Sequence, residues 1–348
     1  MTRRSVAGSN VVVVGATSGV GRATALSLAA LGARLVVVAR NSAHVEQVAS
    51  ACRDVGATAI GVAADISEPD DVERIVTVAT AQLGPIDTWI NAAAALVVGE
   101  LQDQPVDDIR QLIATNVFGT ALASRAAMRH FHARNEGVLI NVSSLLGAIP
   151  NPIAPTYVMS KFAVRGLTLS LHQSTWRRSP IRVCLILPGP IDTPMFHRAA
   201  NRSGRAIRAI PPSFSPERVA AAVIRSVRRP RRQRTTGLTG ALIVAGLHVV
   251  PRFTETFVAQ VASRLIFRPG PAPSTRGALD DANVPSNTSG NWRRGRLRVR
   301  TGDAVGRRLA RRRPDSVTRR VTPHPIGAVA AHVDTRPSPA SDAGDAVR

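Results

Sequence analysis

The chain is poor in cysteine, aromatic residues, lysine and long apolar runs, and several of these shortages exclude a class of protein. The two cysteines, Cys52 and Cys184, lie in separate apolar segments, which predicts buried free thiols in a reducing compartment. The longest apolar stretch towards the carboxyl end, residues 237–250, has fourteen residues including three glycines, which is too short to span a bilayer. Residues 1–10 are polar, and only four valines follow, so we expect no signal peptide and a cytoplasmic protein.

Lysine and tyrosine each occur once in the chain. Among 45 basic residues the single lysine is Lys161, and Tyr157 lies four residues before it. Residues at this spacing share one face of a helix, and such pairs also occur as ordinary surface residues. Because lysine changes its protonation state more readily than arginine, its retention beside the only tyrosine favours a chemical role for the pair.

Positive charge is concentrated beyond residue 197. Residues 1–197 carry 16 basic and 14 acidic side chains, residues 198–234 carry 11 and 1, and residues 269–348 carry 15 and 7. A fold built around nucleic acid places basic residues on its core domain, so no specific nucleic-acid partner is expected. Residues 269–348, rich in Arg and Pro, predict a disordered tail that is either solvated or a weak polyanion contact.

Short apolar runs alternate with amphipathic segments from residue 10 to residue 187, which is typical of a parallel sheet covered by helices on both faces. The predicted strands are residues 10–14, 34–39, 58–64, 86–91, 137–142 and 181–187. The predicted helices are residues 20–31, 43–55, 69–83, 106–134 and 156–177. The fold class is therefore α/β, a Rossmann-like doubly wound parallel sheet whose ligands lie beyond the carboxyl ends of the strands.

The expected domain covers residues 1–268 and ends where the Arg- and Pro-rich tail begins. Within it, residues 190–214 contain four prolines and predict a mobile substrate loop. Residues 216–227 predict a helix, and residues 237–267 predict a helical extension broken at Pro251.

The first strand is followed by V-G-A-T-S-G-V-G-R, which places Gly15, Gly19 and Gly21 between a strand and a helix. Glycines here permit a tight turn and the close approach of a pyrophosphate, whose charge is met by backbone N–H groups and the helix dipole. The pattern predicts a dinucleotide-binding turn, with a purely structural turn as the alternative.

This G-x-x-x-G-x-G turn, followed by Y-x-x-x-K, resembles the short-chain dehydrogenase/reductase (SDR) family over about residues 8–230. The resemblance implies an oxidoreductase that transfers hydride between NAD(P) and a ketone or aldehyde, or a secondary alcohol. It implies a catalytic set with Tyr157 as acid and base, Ser144 on the same substrate oxygen, Lys161 on the ribose hydroxyls, and Asn116 holding a water. Ser144 is chosen over Ser143 because the family serine lies thirteen residues before the tyrosine.

The resemblance also implies cofactor contacts along the chain. Asp65 matches an aspartate that contacts the adenine, and residues 188–193 match a Pro-Gly loop that packs on the nicotinamide. Asn91 matches the first residue of an Asn-Asn-Ala-Gly motif, although Ala92 and Ala94 replace its second Asn and its Gly. No metal is expected. The expected cofactor-binding residues are Gly15, Thr17, Ser18, Gly19, Val20, Gly21, Arg40, Asp65, Ile66, Asn91, Ala93, Tyr157, Lys161, Pro188, Gly189, Ile191 and Thr193.

The end of the second strand bears on cofactor choice. Family members that use NAD carry an acid there, whereas this chain has Ala39 and then Arg40. An arginine pairs with a 2′-phosphate, so NADP(H) is favoured over NAD(H). Arg22 is either a second phosphate contact or a solvated helix residue.

Two other functions stay open. One is a non-catalytic dinucleotide sensor with a polyanion-binding tail. The other is a membrane-surface reductase of lipid-like substrates, suggested by residues 237–250 and the arginine-rich residues 225–234. The expected partners are a small carbonyl or alcohol substrate, in a pocket made apolar by Met195 and Phe196, and, by the resemblance, further copies of the chain in a dimer or tetramer.

Overall fold

The computed structural model describes residues 4–176, 179–279 and 287–292. Its strands are β1 (Asn10–Val14), β2 (Arg34–Ala39), β3 (Ala59–Ala63), β4 (Thr88–Asn91), β5 (Val97–Val98), β6 (Val138–Val142), β7 (Arg182–Leu187), β8 (Ala200–Asn201), β9 (Arg205–Ile207), β10 (Gln233–Thr235) and β11 (Phe267–Pro271). Its α-helices are α1 (Gly19–Ala29), α2 (Ser42–Arg53), α3 (Pro69–Leu83), α4 (Val106–Ile113), α5 (Thr120–Arg134), α6 (Pro155–Thr175), α7 (Pro216–Arg228), α8 (Leu238–Val249) and α9 (Pro251–Leu265).

Seven strands form one parallel sheet in the order β10-β7-β6-β4-β1-β2-β3, which confirms the predicted fold class. The chain runs outward from β1 through β2 to β3, then crosses back to β4 and continues in the other direction. The strand order therefore reverses between β1 and β4. In a doubly wound sheet the crevice beyond the carboxyl ends at this reversal is where ligands bind.

Helices cover both faces of the sheet, because its central strands are apolar on both sides. The valines of β1 are at most 1% exposed. Leu28 of α1, Val48 of α2 and Val223 of α7 pack on one face, and Ile75 of α3 and Phe131 of α5 pack on the other. The two layers fix the strand ends that form the ligand crevice.

The short strands β5, β8, β9 and β11, which form two two-stranded sheets, were not predicted. The large sheet and its helices differ from the predicted elements in two further places. The single helix expected over residues 106–134 contains a π-helical turn, Ala114–Gly119, between α4 and α5. The seventh strand, β10, was not predicted, because it is a three-residue edge strand inside an arginine-rich segment. Arg234 within it donates to the Ser226 hydroxyl and to the Arg229 carbonyl at the end of α7. An edge strand needs no alternating apolar pattern, so the sequence carried no signal for it.

Other expectations agree with the structure or fall outside it. Cys52 and Cys184 are buried and free, and burial raises the pKa of each thiol to about 11. The helical extension is broken at Pro251, the first residue of α9, as predicted. The predicted end of α6 at residue 177 and the tail residues 280–286 and 293–348 lie outside the described residues.

Contacts with the domain continue beyond Arg268, its expected boundary. Strand β11 pairs with β9, and Thr275 forms a β-bridge with Asn201. Arg202 and Arg276 both approach the fully buried Asp108 carboxylate of α4, at 2.7 and 3.5 Å. Across the described part of the chain, no helix combines the length and apolarity needed to cross a bilayer.

Candidate active site

A cavity of about 650 Å³ opens beyond the carboxyl ends of the central strands. Its walls include fifteen of the seventeen expected cofactor-binding residues: Gly15, Thr17, Ser18, Gly19, Val20, Arg40, Asp65, Ile66, Ala93, Tyr157, Lys161, Pro188, Gly189, Ile191 and Thr193. The fold therefore brings together residues that are spread over nearly two hundred positions of the sequence. The other two expected residues, Gly21 and Asn91, do not line the cavity.

The glycine-rich turn is closely packed against its neighbours. Gly15 has φ 77°, and a Cβ at this position would lie 2.5 Å from the Ala93 nitrogen. A Cβ on Gly21 would lie 2.0 Å from the Gly15 carbonyl oxygen, so Gly21 lets α1 pack on the turn rather than forming the cavity wall. The turn thus presents its backbone directly to the cavity, which fits a bound pyrophosphate.

One backbone group in this turn has a partner that the sequence did not indicate. The Gly19 N–H, expected to meet the pyrophosphate, donates to the Asn287 carbonyl oxygen at 3.0 Å. Arg22 donates from its guanidinium to the Thr288 hydroxyl at 3.0 Å. Residues 287–292 therefore lie against the cofactor turn, a contact across more than 260 residues of sequence.

Arg40 lies at the end of β2 and lines the cavity. Its guanidinium donates to the Ala278 carbonyl oxygen at 2.9 Å, which holds the side chain in place. The next residue, Asn41, caps α2 by accepting from the His44 N–H. The acid at this end of the cavity is Asp65, whose carboxylate accepts from the Ser67 N–H and hydroxyl. No acid stands at the end of β2, where an NAD-type residue would be.

Asn91 is buried away from the cavity in a polar network between strand ends. Its amide donates to Asn141 at 2.9 Å and to Ser124 at 3.2 Å, and its oxygen accepts from the Trp89 indole at 2.9 Å. Asn91 thus holds β4 against β6 and does not line the cavity, and its assignment as a cofactor contact stays a prediction.

Tyr157 and Ser144 meet in the wall of the cavity. Tyr157 lies on the first turn of α6 and is 6% exposed, and Ser144 follows β6. Burial raises the pKa of the phenol to about 12, and a hydrogen bond from the Ser144 hydroxyl opposes the rise. The neighbouring Ser143 instead donates to the Lys161 carbonyl at 2.8 Å. The choice between the two serines thus rests on their contacts as well as on spacing.

Lys161 lies one helical turn beyond Tyr157 and is 2% exposed. Its Nζ is 5.6 Å from the centre of the phenol ring and 3.5 Å from the Val142 carbonyl oxygen. Burial lowers the pKa of the ammonium group to about 8. No carboxylate among the described residues pairs with it, so nothing but the phenol ring and the Val142 carbonyl offsets the cost of burying this charge.

Asn116 lies in the π-helical turn between α4 and α5, and its side chain is fully used within the protein. The amide donates to the Ala95 carbonyl and to the Ser160 hydroxyl, both at 3.0 Å, and the amide oxygen accepts from the Ala95 N–H at 2.7 Å. A π turn of this kind often marks a functional site. Here it ties residue 95, in the cavity wall, to α6 beside Tyr157.

The far end of the cavity was only partly predicted. The expected Met195 and Phe196 line it, together with apolar side chains of α8 and α9 that were not predicted to do so. These are Leu242, Ile243, Phe253, Phe257, Val258 and Val261. No local motif marks them, because they reach the cavity only through the packing of a helix pair distant in sequence.

The family model described as "short chain dehydrogenase" matches residues 9–203, more than half of the chain. The chain belongs to the short-chain dehydrogenase/reductase family. As an SDR it is an oxidoreductase with a nicotinamide dinucleotide cofactor, acting on hydroxyl or carbonyl groups of small molecules. Members of the family commonly form oligomers.

Three known proteins illustrate how far the similarity extends. An uncharacterized oxidoreductase, YxnA of Bacillus subtilis, is 32% identical over 82% of each chain. The cis-4-hydroxycyclohexanecarboxylate dehydrogenase of Sinomonas cyclohexanicum is 37% identical over 53% of this chain and 74% of its own. An SDR structure from Burkholderia phymatum in complex with NAD superposes with a TM-score of 0.65 at 22% identity, covering 78% of this chain and all of that one, which shows the fold alone.

Proposed function

We propose that this SDR is an NADP(H)-dependent oxidoreductase that interconverts an apolar ketone or aldehyde and the corresponding alcohol, with Tyr157 as the acid and base. The observation that carries the proposal is the single continuous cavity. It joins the glycine-rich turn and Arg40 at one end to Ser144, Tyr157 and Lys161, and continues to the apolar walls of α8 and α9.

The buried phenol suits proton donation. With a pKa of about 12, Tyr157 is protonated at neutral pH and can give its proton to a substrate oxygen during reduction. The reduced dinucleotide, when bound, supplies the hydride. Ser144 hydrogen-bonds the same oxygen and stabilises the negative charge that develops there. In the oxidative direction the phenolate form takes the proton back.

Lys161 is assigned the electrostatic part of the reaction. Its positive charge, 5.6 Å from the ring centre, favours the phenolate and so opposes the effect of burial on the Tyr157 pKa. With a pKa of about 8, the ammonium group is also able to pass a proton on near neutral pH. We assign Asn116 a positioning role, because its side chain fastens residue 95 to α6.

Arg40 supports the choice of NADP(H). Its bond to the Ala278 carbonyl fixes the guanidinium while leaving further N–H donors for a 2′-phosphate. Asp65, the acid at this end of the cavity, has its carboxylate engaged by Ser67. A 2′-phosphate at the end of β2 would therefore meet a cation, and no carboxylate stands at that position to repel it.

The substrate end supports an apolar compound larger than a simple ketone. Most of its described walls are aliphatic and aromatic side chains; Asn151, Arg198, Thr239 and Thr254 also line the cavity, and the Thr254 hydroxyl donates to the Val250 carbonyl. Tyr157 and Ser144 are the polar groups assigned to the reacting oxygen. Such a site orients a bulky apolar molecule by one carbonyl oxygen.

The test is a cofactor-consumption assay with a panel of ketones and aldehydes graded by apolar size, run with NADPH and with NADH. We expect NADPH to be oxidised faster than NADH and turnover to improve with apolar size. Equal rates with both cofactors would contradict the NADP(H) assignment. Silence with every carbonyl, and with the matching alcohols and oxidised cofactors, would favour a dinucleotide sensor instead.

A second candidate is the same reaction at a membrane surface. Val249, Phe253 and Phe257 on α8 and α9 are 78%, 70% and 55% exposed, and the last two also line the cavity. An apolar surface beside the mouth of an apolar cavity is suited to taking lipid-like substrates from a bilayer.

Flotation with phosphatidylglycerol vesicles tests this candidate. Val249→Asp should abolish flotation without altering turnover of a soluble ketone, because Val249 does not line the cavity. Val55→Asp, at another exposed valine, is the matched control and should float like the unmodified chain. Absence of flotation by the unmodified chain would exclude the membrane-surface form.

A further inference from the structure

Residues 287–292, beyond the end of the family match at residue 203, join two loops of the cofactor site. We name this segment the clasp. On one side it contacts the glycine-rich turn and the start of α1. Asn287 accepts from the Gly19 N–H at 3.0 Å, and Thr288 accepts from the Arg22 guanidinium at 3.0 Å.

On its other side the clasp is bonded to the Pro-Gly loop through Asp192, which is 4% exposed. The Ser289 hydroxyl and the Trp292 N–H donate to the Asp192 carboxylate, each at 3.0 Å. The Gly290 N–H donates to the Asp192 carbonyl at 3.3 Å. A buried carboxylate is costly unless it is hydrogen-bonded, so these donors fix the clasp to the loop.

The Trp292 ring completes the attachment. Its indole N–H donates to the Thr193 carbonyl at 3.0 Å, and the ring stacks on His197 with centroids 4.0 Å apart. His197 also bonds the Gly290 carbonyl at 2.9 Å. The clasp is therefore held on this side by three residues, Asp192, Thr193 and His197.

The clasp covers the cavity without filling it. Gly19 and Thr193, which it bonds, both line the cavity, whereas none of the six clasp residues does so. The segment thus runs across the opening between the turn that binds a diphosphate and the loop that packs on a nicotinamide. A dinucleotide extended between those two loops would lie beneath it and would share the glycine-rich turn with the Asn287 carbonyl, which occupies the Gly19 N–H.

We propose that the clasp closes the diphosphate part of the cofactor site, so that the dinucleotide leaves only when residues 287–292 detach. The clasp then acts as a positioning element, holding the glycine-rich turn and the Pro-Gly loop at a fixed separation and slowing cofactor release. The proposal rests on dinucleotide binding by this family and is independent of the choice between NADP and NAD.

The experiment measures the dissociation rate of NADPH and of NADH from the full chain by stopped-flow displacement, followed by nicotinamide fluorescence. In Gly290→Ala the new Cβ would lie 2.3 Å from the Thr193 carbonyl oxygen, which forces the clasp away. Gly166→Ala, where a Cβ meets nothing within 4 Å, is the matched control. We expect release about tenfold faster in Gly290→Ala and unchanged in Gly166→Ala.

A second pair of variants separates the clasp from a general loss of packing. Trp292→Ala should accelerate release, and Trp292→Phe, which keeps the stacking on His197 but not the indole donor, should do so less. Trp176→Ala, at an exposed tryptophan that ends α6, should have no effect. The melting temperature of the ligand-free chain should change little in all five variants.

Two results would overturn the proposal. Unchanged release from Gly290→Ala and Trp292→Ala, with dinucleotide binding intact, would mean that the clasp does not retain the cofactor. Slower release or tighter binding in those variants would mean that the segment obstructs the site instead. A wrong NADP assignment would appear separately, as equal affinity of the unmodified chain for NADPH and NADH.

Discussion

The region up to residue 203 and the region beyond it contribute different things to this enzyme. The first matches the family, is nearly balanced in charge, and supplies the sheet, the glycine-rich turn and the reacting hydroxyls. The second carries the excess of arginine and supplies the apolar walls of α8 and α9 and the clasp. In the proposed function, reaction chemistry is encoded by local motifs, whereas substrate choice and cofactor retention are assigned to long-range packing.

The largest effect should come from Tyr157→Phe in the first region. Removing the hydroxyl leaves no acid at the substrate oxygen, so kcat should fall about a thousandfold. NADPH affinity and melting temperature should stay close to those of the unmodified chain, because the ring is retained. Steady-state kinetics and fluorescence titration check this. A variant with most of its rate would show that the chemistry lies elsewhere.

Lys161→Met should stabilise the ligand-free chain, because the charged lysine is buried without a carboxylate partner. Its folded pKa of about 8 lies below the ordinary value of 10.5, so the penalty is full below pH 8 and disappears as pH rises towards 10.5. We expect a gain of about 2–3 kcal/mol in the free energy of unfolding at neutral pH. The gain should shrink between pH 8 and pH 10.5, as measured by urea unfolding. A loss of stability at neutral pH would contradict the account. Turnover should be lost in the same variant, which would mean that the lysine is kept for its function although it lowers stability.

Arg40→Asp should reverse cofactor preference. A carboxylate at the end of β2 repels a 2′-phosphate, so the NADPH dissociation constant should rise about thirtyfold, or about 2 kcal/mol, while that of NADH stays level or falls. Arg110→Asp, on the exposed face of α4, makes the same charge change and should leave both affinities unaltered. An unchanged ratio of the two affinities would remove Arg40 from the 2′-phosphate site.

The smallest effect concerns the second region. Phe257→Ser should raise KM for a bulky apolar ketone about tenfold and leave the KM of a small ketone unchanged, because only the larger molecule reaches α9. Val249→Ser, on the same helix pair but outside the cavity wall, is the control. Equal effects on large and small substrates would mean that α9 acts on the whole fold and not on specificity.

Most of the fold could be predicted from the sequence, because its signals are local. Four consecutive valines followed by a glycine turn and a helix mark β1 and α1, and the same alternation predicted the strands of the large sheet up to Leu187. Strand β10 was not predicted, because it pairs with β7 through backbone hydrogen bonds at the edge of the sheet, and such pairing tolerates arginine side chains. The π turn at Asn116 was not predicted, because its pattern of apolar residues continues that of α4 and α5.

The candidate site likewise has residues that local sequence motifs predicted and residues whose contacts only the packing reveals. Ser144, Tyr157 and Lys161 could be picked out from spacing and residue type, and the structure places them together in one wall. Asn91 fitted the family pattern equally well, yet its amide is used by Asn141 and Ser124, which only the packing of β4 and β6 reveals. The clasp gave no sequence signal, since its partners in the glycine-rich turn and in residues 192–197 lie far away in sequence.

The most direct test of the central claim is hydride transfer itself. NADPH carrying deuterium at the hydride position is incubated with the full chain and an apolar ketone, and the product alcohol is examined by mass spectrometry. The account predicts deuterium on the carbinol carbon, formed by the unmodified chain and lost with Tyr157→Phe, with far less product from deuterated NADH. An alcohol without deuterium, or no alcohol from any ketone under conditions where NADPH binds, would contradict it.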